Sequence, residues 1–78
     1  MDWTERVEIN PKIMMGKPVI KGTRIPVSVI LNLLADGYTA AEIKKEYPDI
    51  TVKDITAVLR FAARASQFEE LRTDLAFA

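Results

Sequence analysis

Two four-residue strings constrain this 78-residue chain more than anything else in it: Thr39-Ala40-Ala41-Glu42 and Thr51-Val52-Lys53-Asp54. The first is a capping box, in which the threonine oxygen accepts from the amide three residues on and the glutamate reaches back to the threonine amide. It predicts a short helix over about Ala40 to Glu46 that buries Ala40, Ile43 and Tyr47 and ends at Pro48. The second string has the same form, with Asp54 where glutamate or glutamine is usual, and opens a helix from Val52 to at least Ala65. Between them lies only the turn Tyr47-Pro48-Asp49-Ile50. Two capped helices joined so tightly make a helix-turn-helix.

Upstream, Pro26 fits the first turn of a further helix that runs from Val27 to Ala35 and stops at Asp36-Gly37. Val27, Ile30, Leu31 and Leu34 line one face, and Val29 and Leu33 add a second stripe, so this helix is expected to be buried nearly all round. Residues 7–25 read as extended. Val7-Glu8-Ile9 is β-prone and closed by Asn10-Pro11, and Lys17–Ile20 and Thr23–Ile25 flank Lys21-Gly22 as a tight hairpin with a positive φ at Gly22. The expected fold is mainly α: a helix-turn-helix bundle with a short N-terminal β-hairpin and a C-terminal helical extension. The chain is read as one domain over 1–78, with an extended segment at 7–25, a three-helix core at 26–65 and an interaction tail at 66–78.

Composition excludes several classes of function. There is no cysteine, which rules out disulfides and thiolate metal sites, and no histidine, the usual general base and commonest metal ligand. Ser28 and Ser66 therefore lack the base a nucleophile normally needs. Asp36, Glu42, Glu46, Asp49 and Asp54 read as solvated caps or surface charges rather than acid–base pairs. The expectation is a non-enzyme without cofactor or metal. No stretch approaches the roughly 18 apolar residues of a membrane span, and Met1–Arg6 lacks a signal-peptide core, so a cytoplasmic location is expected. A chain this short buries only about 60% of its unfolded surface, and a partner would stabilise it.

Net charge is zero, but residues 9–35 carry Lys12, Lys17, Lys21 and Arg24 with no acid, whereas 1–8 and 36–78 are each at −2. That asymmetry is either a polyanion-binding patch or a merely solvated loop. On a helical wheel of the last helix, Val52, Ile55, Val58, Leu59 and Ala62 form the expected core face, while Lys53, Thr56, Arg60 and Arg64 lie opposite. A second stripe runs through Ala57, Phe61, Arg64, Phe68, Leu71, Leu75 and Ala78 at alternating spacings of four and three. In a monomer with a continuous helix, Phe61 and Phe68 would be exposed, which marks an interface; the alternative is a bend at Ser66-Gln67 that folds Phe68 back.

The string Gly16-Lys17-Pro18-Val19-Ile20-Lys21-Gly22-Thr23-Arg24-Ile25-Pro26-Val27, followed by Asp36-Gly37-Tyr38-Thr39 and Tyr47-Pro48-Asp49-Ile50-Thr51, resembles the bacterial domain-of-unknown-function 433 family. Met15 departs from it, standing where members often carry glycine. The resemblance implies a homeodomain-like helix-turn-helix. It also implies a VapB-like antitoxin that binds a PIN-like ribonuclease toxin and represses a shared promoter. On that reading Lys53, Thr56 and Arg60 read base edges of double-stranded DNA, and Lys17, Lys21 and Arg24 hold phosphates. The stripe through Phe61, Arg64, Phe68, Leu71 and Leu75 holds the toxin or a second copy in a homodimer, with Arg72 neutralising the acidic toxin site. Two other readings stand beside it: a DNA-binding regulator without a toxin, and a dimeric interaction module that never meets DNA.

Overall fold

Asn10-Pro11 begins the turn that lets the N-terminal segment double back on itself. Its carbonyl accepts from the Ile13 amide at 2.9 Å, and its side chain accepts from the Lys12 amide at 2.9 Å. In the computed structural model, which describes the backbone of residues 2–77 and the side-chain surroundings of 2–67, this reversal pairs β1 (Val7–Glu8) antiparallel with β2 (Val19–Ile20). The register is Val7 opposite Ile20 and Glu8 opposite Val19. The sheet partner of Val19-Ile20 is therefore the N-terminal strand, rather than Thr23–Ile25 as the sequence suggested. The expected hairpin is reduced to an isolated bridge between Val19 and Pro26, with bonds from the Ile20 amide to the Ile25 carbonyl at 3.0 Å, from the Val27 amide to the Pro18 carbonyl at 2.9 Å and from the Thr23 amide to the Ile20 carbonyl at 3.0 Å. Gly22 does take the positive φ expected of it.

The reason lies in burial. Val7, Val19 and Ile20 are all buried, so pairing β1 with β2 gives the core a continuous apolar edge. On the loop side, the Thr23 hydroxyl donates to the Ile20 carbonyl at 2.7 Å and accepts from the Ile25 amide at 3.0 Å. The threonine thus satisfies backbone groups that a longer ladder would otherwise have paired.

Three helices follow: α1 (Val27–Ala35), α2 (Ala40–Glu46) and α3 (Val52–Phe77). The fold is mainly helical, with the small antiparallel sheet at its N-terminal side, as the sequence implied. Pro26 is the N-cap residue of α1 rather than its first helical residue. Only Val27 and Ile30 of α1 are fully buried, with Leu31, Leu33 and Leu34 half-buried against the core, so α1 is less enclosed than its composition suggested.

Gly37 ends α1 through a paired set of reversed hydrogen bonds. Its amide donates to Leu34 at 3.0 Å and the Tyr38 amide donates to Leu33 at 3.0 Å, at a φ of +92° that suits glycine. This is the Schellman arrangement. The capping box of α2 forms as read: the Glu42 amide donates to Thr39 Oγ1 at 3.2 Å and the Thr39 amide to Glu42 Oε1 at 3.0 Å. Ile43 from α2 and Ile50 from the turn are both fully buried and fill the corner between α2 and α3.

Met14, Met15 and Gly16 form a left-handed turn, with φ values of 50°, 58° and 82°. The Gly16 amide closes it on Ile13 at 3.1 Å and the Lys17 amide on Met14 at 3.2 Å. Met15 is 93% exposed, so its side chain gains no burial there. A left-handed residue with a Cβ costs about 1–2 kcal/mol, more than the roughly 0.4–1 kcal/mol of unfolded-state entropy that a glycine adds. Met15→Gly is therefore expected to raise stability by up to about 1 kcal/mol, and Gly37→Ala to lower it by about 1 kcal/mol. Urea denaturation followed by circular dichroism checks both, and a stabilising Gly37→Ala would contradict the assigned cap.

Candidate nucleic-acid and partner interfaces

The orientation of α3 is set by Asp54. Its Oδ2 accepts from the Thr51 amide at 2.9 Å, while its own amide donates to Thr51 Oγ1 at 3.1 Å, completing a capping box with aspartate in the glutamate place. The other carboxylate oxygen, Oδ1, accepts from Arg6 Nη1 at 3.0 Å, an ion pair across 48 residues of sequence. Asp54 is only 7% exposed, so the reading of it as a solvated cap is corrected: it is a buried charge, and each of its two carboxylate oxygens accepts one hydrogen bond. Burial pushes its carboxyl up. The bonds from Thr51 and Arg6, with the charge of Arg6, outweigh that and hold it below the ordinary value.

Seven residues on, Phe61 meets Trp3 edge-on, with ring centroids 5.1 Å apart at 74°. Asp54 and Phe61 thus fasten the same side of α3 to the N-terminal segment, and that rotates the helix from the expected setting. Asp54, Ile55, Ala57 and Val58 face inward, and Phe61 is half-buried against the core. Val52 and Leu59, expected in the core, are 62% and 49% exposed. The expectation that Phe61 would be exposed in a monomer is corrected by the same contact. A sequence wheel picks the most apolar arc and cannot register a buried aspartate paired with Arg6, 48 residues away and just before β1.

The outward side of α3 carries Lys53, Arg60 and Arg64 exposed and Thr56 half-buried, as the wheel placed them, with Val52 and Leu59 among them. Thr56 Oγ1 donates to the Val52 carbonyl at 3.1 Å, which leaves its lone pairs to accept. From Val52 to Gln67 the one acid is Asp54, and it faces inward, so over these residues α3 itself puts three cations and no acid on this face. Lys44 and Lys45, which sequence reasoning passed over, are exposed in the last turn of α2. Lys21 and Arg24 are exposed on the loop between β2 and α1.

Lys17 stands elsewhere. With Pro18, Val27, Ser28, Leu31 and Phe61 it lines an opening of about 300 Å³ between the start of β2, α1 and α3. One expected phosphate-holding residue and one expected interface residue are thus brought to a single groove. α3 continues as one helix past Ser66-Gln67 to Phe77. The side chains of Phe68, Leu71, Arg72 and Leu75 lie outside the described residues. Among the described residues, no group of three or more acids, histidines or cysteines could hold a metal, and no helix is long and apolar enough to cross a membrane.

A family model described as "Protein of unknown function (DUF433)" matches residues 7–62, from β1 through the first three turns of α3. The chain belongs to the DUF433 family. A crystal structure of a DUF433 member protein from Anabaena variabilis ATCC 29413 superposes with a TM-score of 0.74 at 25% identity, covering 91% of this chain and 68% of that one. A curated relative from Archaeoglobus fulgidus, described as an uncharacterized protein, is 70% identical over 23 residues. That stretch is 30% of this chain and 64% of the relative, so the match spans just under two-thirds of the relative's length. The DUF433 match contains Asp54, Lys53, Thr56, Arg60 and the whole groove, and it stops before Arg64 and the tail.

The lowered carboxyl of Asp54 gives a pH dependence with a definite sign. Because its folded value lies below the unfolded one, the stability it contributes is present above about 3.9, the unfolded carboxyl value, and is lost as pH falls through the folded value. Asp54→Ala is expected to cost roughly 1–3 kcal/mol at neutral pH and to flatten the acid limb of a stability–pH curve. Denaturation midpoints between pH 2 and 7 test this, and an unchanged acid limb would exclude Asp54 as its source.

Proposed function

We propose that this DUF433 chain is a non-enzymatic helix-turn-helix protein that binds double-stranded DNA through the outward face of α3, and that it serves as a cytoplasmic antitoxin. One observation carries the DNA reading: Lys53, Arg60 and Arg64 share an exposed face, and the one acid of α3 between Val52 and Gln67 is turned inward and paired with Arg6. In a helix-turn-helix, the first two turns of the second helix enter the major groove, and here those turns present Lys53, Thr56 and Arg60. Arginine and lysine suit guanine edges, and exposed Val52 and Leu59 suit thymine methyl groups. Lys44 and Lys45 on α2, with Lys21 and Arg24 on the loop, supply phosphate contacts. In a homodimer, the two reading helices call for half-sites roughly 34–36 Å apart.

The antitoxin part rests on the family resemblance of the Gly16–Val27 string, which extends the reading to a PIN-like ribonuclease partner held by α3 beyond its DNA-reading turns. A second reading has its own support. Val52 and Leu59 are large apolar side chains exposed on the cationic face, as in a module that binds an acidic protein surface and never meets DNA.

Salt titration separates the two. With about six phosphate contacts, log affinity for an operator duplex falls against log salt with a slope near −5. Lys53→Ala and Arg60→Ala are each expected to weaken operator binding by roughly 1–3 kcal/mol and to relax base preference at one position. Unchanged affinity in both variants, or no duplex binding at low salt, would remove the DNA reading. Co-expression with the product of the adjacent gene tests the antitoxin role, with a stable complex and relief of growth arrest as the expected result.

A further inference from the structure

We propose that the groove lined by Lys17, Pro18, Val27, Ser28, Leu31 and Phe61 seats the C-terminal helical segment, residues 68–77, of a second copy of this chain, so that two copies clasp each other reciprocally. The inference does not depend on DNA binding, and it gives the tail of α3 to a second copy where the antitoxin reading gives it to a toxin. The groove is apolar along its floor, from Pro18, Val27, Leu31 and Phe61, and carries an exposed lysine at its rim. An apolar cavity of about 150 Å³ holds a benzene ring, so an opening of about 300 Å³ takes roughly two side chains of that size.

Its electrostatics select an acidic guest. Lys17 belongs to the 9–35 segment, which has four cations and no acid. Val27 and Ser28 are the first residues of α1, whose N-terminus has no side-chain cap and no acid in its first turn. The Val27 amide donates to the Pro18 carbonyl at 2.9 Å, and the positive end of the α1 dipole lies beside the lysine.

The tail has the complementary pattern. Phe68, Leu71 and Leu75, at spacings of three and four, share one face of a helix, and Glu69, Glu70 and Asp74 accompany them with Arg72 as the single cation. Its own copy cannot supply this guest. Phe61 stands in the groove, and Leu71 lies ten residues further along the same helix, about 15 Å away along its axis. A continuous α3 carries its tail away from its own groove. Such an exchange is two-fold symmetric and closed, and it adds apolar burial that a chain of this length lacks.

Sedimentation equilibrium of the full-length chain is expected to show a concentration-dependent dimer. Lys17→Glu, at an exposed position that circular dichroism can confirm as folded, should weaken it by about tenfold or more, and adding Glu69→Lys with Glu70→Lys should recover most of that loss. An equal mixture of ¹⁴N- and ¹⁵N-labelled chains treated with a carbodiimide should give mixed-isotope amide links from Lys17 Nζ to Glu69, Glu70 or Asp74. A chain that is monomeric throughout would overturn the proposal. So would a dimer indifferent to Lys17→Glu whose mixed-isotope links lie elsewhere.

Discussion

The three-way contact among Arg6, Thr51 and Asp54 decides how this molecule is arranged. A capping box normally works within one turn of helix and says nothing about the rest of a fold. Here the carboxylate that caps α3 also accepts from a guanidinium brought in from the strand end of the chain, so local and long-range structure share one side chain. Aspartate suits this double use. Its stem is shorter than that of glutamate, and that keeps the charge close to the helix start, where the peptide amides and the Arg6 nitrogen converge. The Trp3–Phe61 contact repeats the attachment two turns later, and together they fix which side of α3 looks out.

That rotation is what makes the functional reading possible. Had the most apolar arc of α3 faced the core, Val52 and Leu59 would be hidden. Asp54 would then face solvent beside Lys53, Arg60 and Arg64 and cancel part of their charge. Withdrawing the acid leaves a face that is cationic and partly apolar, a combination suited to the edges and methyl groups of bases in the major groove. The groove between α1, the start of β2 and Phe61 of α3 is a separate surface of different character. A single helix thus contributes to two surfaces that need not compete.

Much of this was legible in the chain itself. Both helix starts, the Gly37 stop and the turn holding Ile50 rest on local chemistry, and local chemistry is what a sequence displays directly. The capping partner of Thr51 was visible for the same reason. The strand pairing was not, because Val19-Ile20 could pair with either flank, and only the shared burial with Val7 settles the choice. The inward face of α3 was misread because a wheel weighs hydrophobicity alone and Arg6 lies 48 residues away. Within the candidate sites, Lys53, Thr56, Arg60 and Arg64 were legible as one face, whereas the meeting of Lys17 with Phe61 needed three dimensions.

The fastening of the first residues to the last helix also bears on how the chain reaches this structure. Small helical proteins fold quickly because most of their contacts join near neighbours in sequence. In this one, Trp3 meets Phe61 and Arg6 meets Asp54, so the elements that orient α3 come together only when a loop comprising most of the molecule has closed. The entropy of that closure must be met before the contacts reward it. The contacts that orient α3 are thus among the least local in the molecule, while the caps that start its helices are among the most local.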